Sequence, residues 1–490
     1  MKFETITKSK CYLLVIYISF TSYIFGQSEI IWDTALSVAD AQFGNTKPRI
    51  VLNGDGEPVV VFGKNNGELY LARKNGTQFT LPQQLAASGV AYVTNWTSAD
   101  IGSKGDTIYV VFKAYPLEGG PIYLVRSFDG GVSVSSSMIV DHQQTGVGWL
   151  PSLDIDDDGQ PHIVYMGHDQ NWTNPQYYIM HSSDQGTSFS GAQSLTNTIP
   201  VEACDCCPAE LAINNEKQVL LYRNNNQNER DIFGVYSNDS GSSFPSFCNL
   251  ENLSWMVMSC PSTAPDGVII NDTLLSVSAS KATGSYRIYL SKALVNNQIT
   301  PEFVDSLVAP TQVSANQNHP RIKASDSHIA VCWHENLGSN YDVYVSVASV
   351  TNSSALYTTK LLVNESQTGN QLYSDLVLNG NEIHVVYQDS PSGTVKYRRG
   401  IIGPTNQVLE SAAPMLTCIP NPVKDDCIVS APKAIGGIRI FNDAGQCIRS
   451  YKYAATECSE KVQLSTLGQG KYTLEVEFDN ESAKIGIIKL

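Results

Sequence analysis

Apolar and polar positions alternate along the chain in one repeating phrase. An apolar strand meets a turn of Gly, Asn or Asp, a second strand ends in an aromatic, and a polar loop follows. The phrase reads "KPRIVLNGDGEPVVVFGKNN" from Lys47, "TSADIGSKGDTIYVVFKAYP" from Thr97 and "LPSLDIDDDGQPHIVYMGHD" from Leu150. It returns as "CPAELAINNEKQVLLYRNNN" from Cys207 and, least regularly, as "CPSTAPDGVIINDTLLSVSAS" from Cys260. The last copies are "HPRIKASDSHIAVCWHENLG" from His319 and "YSDLVLNGNEIHVVYQDSPS" from Tyr373. The spacing is roughly fifty to sixty residues, a period that marks radial or solenoid arrays. Each copy continues with a third strand such as "PIYLVRS" and usually a fourth. Four short antiparallel strands per copy predict an all-β fold, a seven-bladed β-propeller. "SEIIWDT" near the N-terminus then supplies the outer strand of the last blade and closes the ring.

Composition agrees. Of 490 residues, 42% are hydrophobic and only 16% charged, as expected of an extracellular, turn-rich β protein. The net charge of −15 excludes a nucleic-acid partner, which needs a basic footprint. Lys2, Lys8 and Lys10 followed by the apolar run Cys11 to Phe25 read as a secretory signal, residues 1–26, cleaved near Gly26. The mature chain then carries ten cysteines in a disulfide-permissive compartment.

Two resemblances refine the picture. "SFDGGVSV" from Ser127, "SSDQGTSF" from Ser182 and "SNDSGSSF" from Ser237 resemble the Asp-boxes of sialidase-like propellers. These are hairpin turns on the face away from the active site, and they carry no chemistry. After about residue 410 the texture changes. "CIPNPVKDDCIVSAP", "IRIFNDAGQCIRS" and "LSTLGQGKYTLEVEFDNESAKIGIIKL" resemble the C-terminal sorting domain of type IX secretion. That resemblance implies a propeller over residues 27–410, a small Ig-like β-sandwich over 411–490, and export to the medium or cell surface by the type IX machinery. Cys418, Cys427, Cys447 and Cys458 lie inside the sandwich and could pair there.

The functional face of a propeller carries the loops between blades and those joining second to third strands. The second kind places Lys64, Lys113, Tyr115, His168, Arg223, Lys281, His334, Glu335 and Gln388 at one mouth; the first adds His142, Trp149 and His319. An acidic chain is thus expected to gather basic side chains in one cleft. His162 and His384, at the opposite end of the blades, read as structural.

"VEACDCCPAEL" places Cys204, Cys206 and Cys207 in one short loop. Cys207-Pro208, Cys260-Pro261 and His319-Pro320 read as one repeat position in three consecutive blades. Cys204, Cys206, Cys207, Cys260 and His319 are therefore candidate ligands of a structural zinc. A disulfide such as Cys207 to Cys260 is the alternative. "DIDDDG" from Asp154 starts like a calcium loop, but Tyr165 stands where the closing Glu belongs, so calcium is not expected.

At fold level and in its mouth the chain resembles the seven-bladed ulvan lyases, which cleave a sulfated, uronate-containing algal polysaccharide by β-elimination. The resemblance implies that Arg223 neutralises the uronate carboxylate while His142 and His168 act as base and acid. Lys113, Tyr115, Trp149 and His334 would bind the anionic polysaccharide. The family's tyrosine before its arginine is absent; Tyr115, Tyr177 or Tyr178 would have to replace it. A sialidase-like hydrolase, needing three carboxylate-clamping arginines, and a non-catalytic glycan-binding propeller remain the alternatives. A monomer is expected.

Overall fold

The computed structural model describes residues 30–95, 97–141, 147–169, 171–310, 312–403, 416–419, 423–431, 433–442, 445–478 and 481–489. The expected signal sequence lies outside these residues. The chain divides after Thr405 into two compact units; the boundary expected near residue 410 falls in the undescribed stretch 404–415.

The first unit is a ring of seven antiparallel sheets, numbered here as blades 1 to 7 in chain order. The innermost strands are Thr46–Leu52, Asp100–Lys104, Val147–Ile155, Glu210–Asn214, Asp266–Ile270, Gln317–Ala324 and Gln371–Asn379. Each is followed by a buried second strand, mostly apolar except in blade 5, where Thr273–Ser280 alternates with serine. Val59 to Phe62, Ile108 to Phe112 and Ile329 to Trp333 are all 2% exposed or less. Continuous rather than alternating burial follows because both faces of a blade are covered by neighbouring blades. Seven separate apolar cores result, one between each successive pair. The core between blades 7 and 1 joins Val386, Val395 and Tyr397 to Ile50, Val60 and Phe62, so the ring is closed.

Closure uses the N-terminus, as the sequence predicts. Ile30–Trp32 pairs with the third strand of blade 7, Ile30 opposite Ile402 and Trp32 opposite Gly400. A side chain at Gly400 would collide with Ile30 and Trp32.

The three Ser-x-Asp-x-Gly turns follow the third strands of blades 2, 3 and 4 and share one bonding pattern. In blade 3, Ser182 donates to Asp184 (2.9 Å) while Asp184 accepts from the Ser188 amide (2.8 Å) and hydroxyl (2.7 Å). Ser127 with Asp129, and Ser237 with Asp239, repeat it. These hydrogen bonds hold the Asp184 carboxyl down to about 2. Gly186 takes φ +72°, which favours glycine.

The second unit has a three-stranded sheet (Thr417–Ile419, Asp426–Ser430, Ser459–Gln463) and a four-stranded one built on Gly437–Asn442 and Gly470–Phe478. Val429, Ile438, Ile440, Val462, Leu474 and Val476 fill its core, making a β-sandwich.

Candidate active site

The inner strands set the geometry of the axis. Arg49, Asp100, Ser152, Glu210, Asp266, Arg321 and Asp375 occupy one register position, each opposite the same level of its second strand. All seven are buried, and the six other than Ser152 form a ring of charges. Arg321 touches Glu210, Asp266 (3.3 Å) and Asp375 (3.2 Å); Arg49 touches Asp100 (3.5 Å) and Glu210 (3.7 Å). The carboxylates also stitch neighbouring blades: Asp375 accepts the Ile50 amide, Asp100 the Leu153 amide and Asp266 the Ile322 amide. Burial pushes the Glu210 carboxyl up against the pull of Arg321.

Two positions before the ring, four blades carry a residue other than glycine at positive φ: Lys47 (49°), Leu150 (50°), His319 (51°) and Tyr373 (50°). Each lies in a β-bulge at the start of its inner strand. Left-handed backbone at such residues costs about 1–3 kcal/mol and gathers at functional sites. Leu150 enters the core between blades 3 and 4. The other three converge at the mouth. Lys47 Nζ lies over the Tyr373 ring at 5.1 Å. The His319 ring is 4.8 Å from Tyr373 and 5.1 Å from His334, and His334 is 5.5 Å from Tyr373 and 5.3 Å from Tyr341. The Tyr373 amide donates to His334 Nδ1 (3.2 Å), which leaves the ring proton on Nε2. A cavity lined by Lys47, His319, Tyr373 and Ser374 opens here, and a second along the axis shares Lys47 and Arg49 with it.

The electrostatics favour proton transfer. Burial, then Lys47, holds His319 well below the ordinary imidazole range, and burial pulls His334 down to about 3. Both rings are therefore neutral. Burial raises the Tyr373 hydroxyl, which keeps its proton. Burial, helped by Arg49 and Arg321, lowers the Lys47 ammonium well below its usual value. Among the described residues no carboxylate lies within ion-pair distance of Lys47.

The structure rearranges the residues expected from the sequence. Arg223 is fully buried and is not free to clamp a carboxylate. It donates to the carbonyls of Arg230 (2.7 Å) and Ala279 (2.9 Å), faces Glu251 (3.9 Å) and lies over Trp255 (5.2 Å), tying blade 4 to blade 5. Lys113 is 2% exposed and is spent on the Gly120 carbonyl of its own loop; burial lowers it to about 8. It is not a substrate contact. His168 is 3% exposed, walled in by Trp172 (5.1 Å) and Trp149 (6.1 Å), with Trp149 itself 7% exposed. Tyr115 is exposed, edge-on to Tyr92 at 5.2 Å. His142 lies outside the described residues. His334 belongs to the mouth cluster, as does His319, which is a correction: His319 does not join the cysteines. Register puts it level with Lys47, Pro208, Ala264 and Tyr373, so Cys207 and Cys260 stand further upstream in their own loops. The Sγ atoms of Cys204, Cys206, Cys207 and Cys260 alone gather within 4.8 Å of one another, paired as Cys204–Cys207 and Cys206–Cys260.

Lys47, Tyr341 and Tyr373 escaped the sequence reading. Lys47 and Tyr373 share with His319 the repeat position just before Pro48, Ser374 and Pro320, visible only once the bulges fix the register, whereas Tyr341, on the third strand of blade 6, carried no signal in the repeat. His162 and His384 are buried with partners, Asp156 at 3.1 Å and Tyr397 at 2.8 Å. In "DIDDDG", Asp154 and Asp157 accept the amides of Ile213 and Asn215, joining blade 3 to blade 4.

Residues 417–489 match the family described as the secretion system C-terminal sorting domain. The chain is accordingly exported by type IX secretion, to the cell surface or the medium. No curated protein sequence matches the chain. Among solved structures, a PL25 ulvan lyase bound to -[GlcA(1-4)Rha3S]- superposes with a TM-score of 0.50 at 12% identity, over 76% of this chain and 96% of its own. A protein of unknown function from Dyadobacter fermentans gives 0.48 at 11%, over 76% and 99%. A Hadza microbial sialidase gives 0.43 at 11%, over 75% and 68%. The first likeness agrees with the propeller and speaks to fold alone.

Proposed function

We propose that the chain is a secreted polysaccharide lyase that cleaves a uronate-containing sulfated polysaccharide of the ulvan type by β-elimination at the axial mouth. The observation that carries this reading is the grouping of Lys47, His319 and Tyr373 around one cavity, with the His334 ring packed against His319 and Tyr373 behind it. β-Elimination needs a cation on the uronate carboxylate, a neutral base for the C5 proton and an acid for the leaving oxygen. Lys47 suits the first task, because an entering carboxylate restores the ammonium that burial disfavours. His319 takes the C5 proton as the C4–C5 double bond forms and the C4–O bond breaks. Tyr373 gives its proton to the departing oxygen. The Nε2–H of His334 is a hydrogen-bond donor fixed in orientation by the Tyr373 amide. These residues replace the roles first expected of His142, His168 and Arg223.

The likeness to a bound ulvan lyase supports the substrate class without establishing it. Sialidase-type hydrolysis is disfavoured, since Arg49, Arg223 and Arg321 are all engaged by protein carboxylates or carbonyls. The purified chain, incubated with ulvan and other polyuronates, should produce the ultraviolet absorbance of an unsaturated uronate. Lys47→Ala and Tyr373→Phe should each lower that rate about 100-fold or more. New reducing ends without absorbance, or retention of the polymer without cleavage, would overturn the lyase reading in favour of a hydrolase or a binder.

A further inference from the structure

We propose that Cys204, Cys206, Cys207 and Cys260 form a closed tetrathiolate site for zinc at the top of blades 4 and 5. The proposal is independent of the lyase reading. Four sulfurs from two interblade loops lie within 4.8 Å of one another. Cys204 and Cys206 Sγ are 3.9 Å apart, close to the edge of about 3.8 Å of a tetrahedron with zinc–sulfur bonds of about 2.3 Å; Cys204–Cys207 and Cys206–Cys260 are drawn together as disulfides and would open to that edge around an ion. Cys204-Asp205-Cys206-Cys207 is a tight turn in which the Cys204 carbonyl accepts the Cys207 amide (3.5 Å). Two cysteines separated by two residues on such a turn are the usual half of a zinc site. Its other anchor is the Arg223 carbonyl, which accepts the Cys204 amide at 2.8 Å.

Paired as disulfides, the same four residues do less. A Cys204–Cys207 link closes a loop so short that it removes little unfolded-state entropy, and only Cys206–Cys260 would join the loops. A metal engages all four sulfurs and both loops at once. Four protein sulfurs fill a tetrahedral shell and leave no position for a water ligand, which makes the site structural; Cys204 and Cys207 are fully buried, while Cys260 sits at the exposed edge. The Ser262 hydroxyl lies 3.1 Å from Cys260 Sγ as a donor, which suits a thiolate. Taken up by four reduced cysteines before a disulfide closes, zinc releases the thiol protons to solvent and no electrons move; once the two disulfides have formed, a thiol reductant must supply four electrons to open the site.

The test uses the full-length exported chain, purified without chelator and analysed for metal by plasma mass spectrometry. We expect one zinc per chain and four thiols that react with a thiol reagent only after chelation. Cobalt exchanged into the site should show thiolate-to-cobalt charge-transfer absorption, which Cys260→Ser should remove together with the zinc. An oxidising compartment favours disulfides, so the contrary result is well defined. A metal-free chain in which peptide mapping finds Cys204–Cys207 and Cys206–Cys260 as disulfides would overturn the proposal. So would four free thiols that stay metal-free in added zinc, or zinc retained at full occupancy in Cys260→Ser.

Discussion

Replacing Arg321 by methionine tests whether the axial charge ring holds the propeller together. The guanidinium is 6% exposed and serves Glu210, Asp266 and Asp375. Without it, Glu210 keeps Arg49 at 3.7 Å and Asp266 keeps Lys323 at 3.8 Å. Asp375 loses its direct ionic partner and retains the Ile50 amide at 3.0 Å. Removing one member of a buried ion pair costs about 3–5 kcal/mol, because a charge is stranded out of water. With unfolding entropy of about 2.1 cal/mol/K per residue and roughly 380 residues in the propeller, the unfolding temperature should fall about 4–6 °C. The deficit should also depend on pH. Burial raises the Asp375 carboxyl, but Arg321, then Arg49 and Lys323, outweigh it and hold it below its ordinary value. That contribution is present above the unfolded value of about 3.9 and is lost only below it, so it is flat from about pH 5 to 8. In Arg321→Met the opposing charge shrinks, the folded carboxyl rises above 3.9, and the variant gains a proton on folding as the pH falls. The difference from wild type is then largest near pH 8 and smaller near pH 5. Thermal unfolding followed by tryptophan fluorescence reads this directly, since all six tryptophans precede residue 405 and report on the propeller. A drop under about 1 °C near pH 8, or equal drops at both pH values, would refute the reasoning.

Other outcomes follow from the same geometry. If His319 is the base, kcat/KM on a uronate polymer should hold its plateau below pH 6.5, because burial and Lys47 keep the ring neutral there; an acid limb centred at 6.5 or above contradicts the assignment. His334 and His384 are held down to about 3 and about 4 by burial, below the unfolded value of about 6.5. The unfolded chain therefore takes up protons first, and stability present above pH 6.5 should drain away toward pH 4, by roughly 3 kcal/mol for each histidine. His384→Phe should flatten that slope in pH-dependent thermal melts, and an unchanged slope would count against it. Ile30→Ala cuts into the core that closes blade 7 and should cost about 2–4 kcal/mol, a fall of about 3–5 °C in the same melt.

What the linear chain determined is the repeat. Continuous apolar second strands, turn residues between them and three Ser-x-Asp-x-Gly hairpins specify blades, because each signal acts within a few residues. The N-terminal "SEIIWDT" strand and the C-terminal export domain were legible for the same reason. Register at the mouth was not. Pro208, Pro261 and Pro320 look equivalent in sequence, yet bulges near Lys47, Trp149, Asn318 and Leu372 shift the inner strands. One displaced residue moves a side chain from the axis to a loop, which is why His319 belongs with Tyr373 rather than with the cysteines. Burial was the second quantity hidden from the sequence. Arg223 and Lys113 have the chemistry of ligands, but the packing of blade against blade and loop against loop consumes their donors, while Lys47 is left facing a cavity. Which cation is free to act is decided by the closed ring, since only the assembled blades determine which charges find partners.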